Sequence, residues 1–293
     1  MKRCPVCNEE FEDRRIFCPD DGVTLRTVDG EDALVGRILD GKYKIEESLG
    51  RGGMGAVYRA RHLLIGDEVA IKVLRPEMAR DEDAVERLRR EARAARHLRN
   101  LHTINVIDFS ATDEGLVFLV MEFVRGRTLR DVLRAENRLD LRRAAALVTQ
   151  IADGLDHAHR QGIVHRDLKP DNVMLELGHD GLEIVRVLDF GIAKLSESET
   201  KLRTLTNDDV IIGTPCYLSP EQCGAGDVGP WSDVYALGVM LFEMVTGDVP
   251  FNGRSALEVA RSHVFAEPPS PRDRVPALSE QTSAVILKSP STG

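Results

Sequence analysis

Apolar and polar side chains alternate along Ala56-Val57-Tyr58-Arg59-Ala60-Arg61, a period of two that predicts a strand. Gly66-Asp67 marks a turn, and Glu68-Val69-Ala70-Ile71-Lys72-Val73-Leu74 reads as a second strand, so the two make a hairpin. The period then changes. From Asp81 to Arg99, Val85, Leu88, Ala92, Ala95 and Leu98 fall on one face of an amphipathic helix. Asp83 with Arg87 and Glu86 with Arg90 form i,i+4 pairs on its solvent side. An apolar run covers Leu116 to Met121, and Ile184 to Leu188 reads as a strand. The longest apolar stretch, Val234 to Phe242, predicts a buried helix and is too short to cross a bilayer. Ser279 to Lys288 begins a further helix, which Ser289-Pro290-Ser291-Thr292-Gly293 stops. Thr24 to Asp40 is mixed and polar and reads as a connector.

Composition narrows the class. A chain of 293 residues holds about two structural units at roughly 150 residues each. With 42% hydrophobic residues it can bury a sizeable core. Its net charge is 39 − 48 = −9, so it has no overall attraction for nucleic acid or an anionic membrane. The eight arginines between Arg75 and Arg99 are offset by six acids, which makes that helix a solvated face. The N-terminus lacks the apolar core of a signal peptide. Five cysteines, an odd number, fit a reducing compartment, so a cytoplasmic location is expected.

Three of the cysteines cluster. Cys4-Pro5-Val6-Cys7 is a CxxC knuckle, and Cys18-Pro19-Asp20-Asp21 repeats it with Asp21 where a fourth Cys would stand. Thiolates two residues apart fit a tight turn around tetrahedral Zn²⁺, and a segment this short cannot bury its own core. Residues 1–26 are therefore expected to form a zinc ribbon holding structural Zn²⁺ on Cys4, Cys7, Cys18 and Asp21, with Asp20 as a substitute ligand. The competing expectation is a tail with three exposed thiols. Cys216 and Cys223 read as free thiols.

Leu49-Gly50-Arg51-Gly52-Gly53-Met54-Gly55-Ala56-Val57 contains GxGxxG as Gly50, Gly52 and Gly55. Glycines let backbone N–H groups approach phosphate oxygens. A dinucleotide fold needs a helix directly after them, whereas here a strand follows, so the glycines sit in a hairpin. No GxxxxGK[ST] is present. Further on, His165-Arg166-Asp167-Leu168-Lys169-Pro170-Asp171-Asn172 matches HRDxxxxN, Asp189-Phe190-Gly191 follows a strand, and Ser219-Pro220-Glu221 stands where APE is expected. From about Tyr43 to Lys288 the sequence resembles the protein kinases. Gly213-Thr214-Pro215 through Gln222 and Ser232-Asp233-Val234-Tyr235-Ala236-Leu237-Gly238 resemble the bacterial branch of Ser/Thr kinases.

The resemblance implies an α+β, bilobal protein-kinase fold preceded by the small zinc ribbon. It implies a linker at 27–40 and a kinase domain at 41–288, with a β-rich small lobe at 41–124, a helical large lobe at 125–288, and a tail at 289–293. Leu49, Gly50, Gly52, Gly53, Gly55, Val57, Ala70, Met121, Glu122 and Val124 would bind ATP, with Met121 as gatekeeper. Lys72 would hold the α- and β-phosphates and pair with Glu91. Asp189 and Asn172 would hold Mg²⁺ or Mn²⁺. Asp167 would accept or orient the substrate hydroxyl proton, Lys169 would steady the γ-phosphate, and Thr214 completes the Ser/Thr pattern. Asp233 and His165 would share a hydrogen bond that supports the catalytic loop. Thr204 and Thr206 are the expected phosphosites, with Arg166 as their partner. The implied reaction is ATP-dependent phosphorylation of Ser or Thr in protein substrates, with autophosphorylation between two copies in a dimer. The alternative is an ATP-binding pseudokinase scaffold whose zinc module recruits partners. The family pairs the Glu of APE with a later arginine. Here Glu221 shows no such partner unless Arg254, Arg261, Arg272 or Arg274 serves, so the large lobe is expected to be weakened around Glu221 and its activity lowered; the alternative is that the 293 residues are a fragment of a longer kinase.

Overall fold

The structure is a computed structural model that describes residues 2–7, 9–12, 15–19, 22–27, 32–52, 55–190, 215–224 and 226–288. The chain divides into two compact units, Met1–His97 with Asn105–Phe123, and Leu98–Ile104 with Val124–Gly293.

The first unit is built on a six-stranded antiparallel sheet in the order β4-β5-β6-β7-β9-β8. Its strands are β4 (Ile38–Leu39), β5 (Tyr43–Gly52), β6 (Gly55–His62), β7 (Glu68–Leu74), β8 (Val106–Ala111) and β9 (Val117–Glu122). The alternation along β6 is real: Ala56, Tyr58 and Ala60 are buried on one face. They join Tyr43, Ile45, Val69, Ile71, Val73, Phe118 and Val120 in one core. Ile16, Leu34 and Leu39 complete that core. The stretch read as a polar connector thus corrects the sequence expectation, because Ala33, Leu34 and Leu39 are buried within it. A lone apolar residue every few positions carries no period, so sequence patterning passes over such a segment.

Helix α1 (Pro76–Ala79) precedes α2 (Glu82–Ala95). Leu88, Ala92, Ala95 and Leu98 are buried as the stripe predicts, but the helix stops at Ala95, four residues before the expected Arg99. On the outer side of α2, Glu86 pairs with Arg89 at 3.1 Å and Arg90 at 3.7 Å. Short strands β1 (Lys2–Arg3), β2 (Glu10–Phe11) and β3 (Arg26–Thr27) form a separate sheet in the order β2-β1-β3.

The second unit is mainly helical. A three-stranded sheet, β10 (Gly126–Thr128), β11 (Val173–Leu177) and β12 (Glu183–Val187), leads into and out of its loops. Helix α3 (Leu129–Glu136) starts where the Thr128 side chain accepts from the Asp131 N–H. Helix α4 (Leu141–Arg160) starts at Asp140, whose carboxylate accepts from the N–H groups of Arg142 and Arg143. Its buried stripe, Ala144, Leu147, Ile151, Leu155 and Ala158, packs against β12 and α6 (Pro230–Thr246). Between them comes the short α5 (Pro220–Cys223). The apolar run expected as a buried helix is the middle of α6, in which Leu237 to Met240 and Phe242 to Thr246 are all buried. Helices α7 (Ala256–Phe265), α8 (Pro271–Arg274) and α9 (Glu280–Lys288) follow. No helix among the described residues is long and apolar enough to cross a membrane.

Candidate active site

The glycine-rich segment is a hairpin, as the strand-after-glycine pattern requires. Gly50, Arg51 and Gly52 on β5 pair with Val57, Ala56 and Gly55 on β6. Gly55 tolerates no side chain, since an added Cβ would lie 1.9 Å from the Val73 carbonyl oxygen. Gly53 lies outside the described residues.

Sheet register gathers the expected ATP residues of this unit. Val57 is paired with Lys72, and Ala70 with Met121. Lys72 and Ala70 are two residues apart, and paired cross-strand residues share a face. Val57, Ala70, Lys72 and Met121 therefore lie on one face of the sheet, opposite the Tyr58, Ile71 and Val120 core. Ala70, Lys72 and Met121 are buried, while Leu49 is exposed. Glu91 lies half-buried on α2. The Glu122 N–H donates to the Asn105 carbonyl at 3.0 Å, and its carboxylate accepts from the Asn105 amide at 3.1 Å.

In the second unit the loop His165–Asn172 is held from below by Asp233. This carboxylate is 1% exposed. It accepts from the His165 N–H and the Arg166 N–H, both at 2.8 Å, and from His159 Nε2 at 2.7 Å. The expected hydrogen bond between Asp233 and His165 is present, and its donor is the His165 backbone N–H. The His165 ring does other work. Its Nδ1 accepts from the Asp167 N–H at 3.2 Å and its Nε2 donates to the Leu188 carbonyl at 2.7 Å, which assigns the Nε2–H tautomer. One imidazole thereby ties Asp167 to the residue before Asp189. The ring also packs against Phe190, with centroids 5.1 Å apart.

Arg166 and Asp189 have positive φ, +65° and +54°. Left-handed backbone at non-glycine residues is uncommon and is held only when surroundings over-determine it. At Arg166 the two Asp233 bonds and a third, from Gln222 Nε2 to the Arg166 carbonyl at 2.7 Å, provide that hold. Lys169 Nζ lies 3.0 Å from Asp167 Oδ2. Asn172 Nδ2 donates to the Asp167 carbonyl at 2.8 Å, so a ligand of this side chain would meet its amide oxygen. Val124 is buried. Thr214, Thr204, Thr206 and Gly191 lie outside the described residues.

Sequence reasoning missed a cluster in this unit. Arg130 Nη1 reaches Glu243 at 2.7 Å, its Nε reaches Asp171 at 3.3 Å, and Tyr217 bonds both Arg130 and Glu243 at 2.5 Å. Burial and the adjacent Glu243 carboxylate push the Tyr217 phenol pKa well up. Nothing periodic marks partners 113 and 87 residues apart; a lone Glu directly after the apolar run of α6 was the available signal. Glu221, for which an arginine was sought, instead accepts from the Ser232 hydroxyl. Arg272 pairs with Glu280 at 2.9 Å and Arg274 with Asp248 at 3.2 Å. Cys216 and Cys223 are in no disulfide, and burial raises both thiols, Cys223 to about 11.

The three clustered cysteines also come together: Cys4, Cys7 and Cys18 place their sulfurs within 4.8 Å of one another. Asp20 and Asp21 lie outside the described residues.

Comparison with known proteins agrees with this geometry. The family described as "Protein kinase domain" matches residues 43–285. The chain is 41% identical over 266 residues to serine/threonine-protein kinase pkn3 of Myxococcus xanthus, covering 90% of this chain and 48% of that one. It is 38% identical to PrkC of Bacillus subtilis, covering 87% and 38%, and 40% identical to PknB of Mycobacterium tuberculosis, covering 85% and 40%. The chain thus spans between about a third and a half of the length of these relatives. The crystal structure of the Mycobacterium tuberculosis PknI kinase domain matches with a TM-score of 0.68 at 28% identity, over 89% of this chain and 92% of that one. The chain belongs to the protein kinase family and carries the kinase fold, among relatives that are bacterial Ser/Thr kinases.

Proposed function

We propose that this chain is an ATP-dependent protein kinase that transfers the γ-phosphate to Ser or Thr hydroxyls of proteins, its own activation segment included. The observation that carries this reading is the Asp233-anchored loop, which fixes Asp167, Lys169 and Asn172 relative to one another.

Phosphoryl transfer depends on positioning and on neutralising charge. Lys72, buried beside Val57 and Ala70, would hold the α- and β-phosphates with Glu91 as its ion-pair partner, and Val57, Ala70 and Met121 would enclose the adenine. Leu49, Gly50, Gly52, Gly53 and Gly55 would cover the phosphates, and the backbone of Glu122 and Val124 would read the adenine edge. Protein kinases use ATP with Mg²⁺ or Mn²⁺. The donor set fits such a hard cation, because Asp189 offers a carboxylate and Asn172 an amide oxygen. A cation bound there would neutralise charge on the phosphate oxygens. Asp167 would orient the incoming hydroxyl and accept its proton. Lys169, 3.0 Å from that carboxylate, would meet the transferred phosphoryl group and bring it in line with the hydroxyl. Thr214 would support this arrangement on the Ser/Thr pattern.

None of the acids and bases that a pseudokinase would lack is missing from the sequence. Partners are then protein substrates and, for phosphorylation in trans, a second copy of the chain. The setting is the cytoplasm, where ATP is available and thiols stay reduced. The test is Asp167→Asn. It should lower kcat for γ-phosphate transfer by about 10²–10⁴-fold, the usual worth of a positioned acid–base group, while ATP still binds. Unchanged kcat would refute the role of Asp167.

A further inference from the structure

The N-terminal segment is packed in a way that its sequence distance from the ATP residues hides. It has two similar loops. The Cys4 N–H donates to the Glu9 carbonyl at 2.9 Å, and the Cys18 N–H donates to the Val23 carbonyl at 2.8 Å, five residues on in both cases. The Val6 N–H points at Cys4 Sγ at 3.3 Å, and Gly22 takes φ +62° to close the second loop. Their cysteines come together: Cys4 and Cys18 are buried, Cys7 is exposed, and Cys7 Sγ lies 3.7 Å from Cys18 Sγ. That separation is far too long for a disulfide, which needs about 2.05 Å. Two thiolates on one tetrahedral zinc, at about 2.3 Å each, stand about 3.8 Å apart.

Apart from the cysteines, the local core is thin. Buried Leu25, with Phe11 and Val23 against it, surrounds Cys4 and Cys18. Strands β1, β2 and β3 are two residues each. A segment so small needs a cross-link or a metal to hold a defined shape.

The segment also reaches the glycine-rich hairpin within the same unit. Leu25 donates to Ile16, whose side chain enters the core of the six-stranded sheet, and Ala33 donates to Leu25. Beside Ala33, the buried Asp32 carboxylate accepts from Tyr58 on β6 at 3.0 Å and from Arg51 on β5 at 2.7 Å. Arg51 stands between Gly50 and Gly52. Thr24 Oγ1 lies 3.4 Å from the same Tyr58 hydroxyl.

We propose that Cys4, Cys7 and Cys18 bind one Zn²⁺ ion and that this metal, by fixing Cys18 and through it Val23 and Leu25, holds Asp32 against Arg51 of β5 and Tyr58 of β6, the strands that carry the glycines. Each thiol gives up its proton as its Zn–S bond forms, so three protons leave and three thiolates balance the dication with one negative charge over. One tetrahedral position is left for an oxygen donor.

The metal part stands apart from the kinase reading; the link to the glycine-rich loop rests on it. The full chain, purified without chelators, should contain about one zinc per molecule, and Cys18→Ser should lose it while Cys223→Ser keeps it. Co²⁺ added to the metal-free wild-type chain should give the intense visible bands of a tetrahedral thiolate site, a readout that does not depend on a variant folding. A zinc-free chain with no such cobalt spectrum, or a Cys7–Cys18 disulfide in the protein as isolated, overturns the site. Titration with Mg·ATP should then show a several-fold weaker Kd for the metal-free chain, restored by adding zinc. An equal Kd with and without zinc overturns the coupling and leaves the metal site standing. If neither form binds nucleotide, the kinase reading fails.

Discussion

Replacing Asp233 by Ala removes the acceptor of three hydrogen bonds at once. Two of the donors, the backbone N–H groups of His165 and Arg166, have no way to turn toward water without moving the loop. A buried donor left unsatisfied costs about 1–3 kcal/mol, so the pair costs roughly 2–6 kcal/mol. Total stabilities are about 5–15 kcal/mol, so the variant loses a large share of its margin. For a domain of this size each kcal/mol is worth about 2–4 °C, which gives a fall in Tm of roughly 4–24 °C. Asp233→Asn keeps one acceptor oxygen but turns an N–H₂ toward a donor, so it should fall between wild type and Ala. His159→Phe removes only the third bond and leaves both loop donors satisfied, so it should cost least. The damage is also specific: Arg166 at φ +65° should relax, taking Asp167 with it, while the Lys72 face stays intact. Thermal melts of the three variants, alongside kcat and ATP affinity for those still folded, test this. If Asp233→Ala melts with wild type and turns over at the same rate, the loop is not held by Asp233 and the reasoning is wrong.

His263, buried against Tyr235 and Phe251, has its pKa pushed down to about 4 by desolvation. Below about pH 6.5 the unfolded chain takes up a proton that the native chain refuses, so this stability is present above pH 6.5 and lost toward pH 4. The loss approaches about 3 kcal/mol at about 1.4 kcal/mol per pH unit. Denaturant melts from pH 7 to pH 4.5 should show the gap between wild type and His263→Gln shrinking as pH falls; parallel curves would show that His263 does not titrate this way. Thr204→Ala with Thr206→Ala should lower activity after preincubation with Mg·ATP, since each phosphate adds about −1.5 to −2 charge for an arginine such as Arg166 to meet. Equal rates before and after the double substitution would remove these two threonines from control.

Much of the site was legible because its chemistry is local. The glycines, the hairpin that follows them and HRDxxxxN each lie within one short window, and the period of two along Ala56–Arg61 marked the strand beside them. The supports were not legible. Asp233 acts on the loop across 67 and 68 residues, and Arg130 meets Glu243 across 113; pairs at such separation leave no period in the sequence. Asp32 looked like one more acid in a polar connector, yet it is buried between Arg51 and Tyr58. The Asp233–His165 bond was expected, but that its donors are two adjacent backbone N–H groups is a matter of local backbone geometry that no residue pattern shows. Helix α2 ends early at Ala95, although Leu98 continues its apolar spacing and is buried beyond the helix end.

The central claim is tested most directly by incubating the purified chain with Mg·ATP labelled at the γ-phosphate and identifying the phosphorylated residues by mass spectrometry, with Asp167→Asn in parallel. The account predicts label on Ser and Thr, concentrated between Ala193 and Ile212, and almost none in the variant. Label confined to tyrosine, equal label in the variant, or no transfer by a wild-type chain that binds ATP would contradict it.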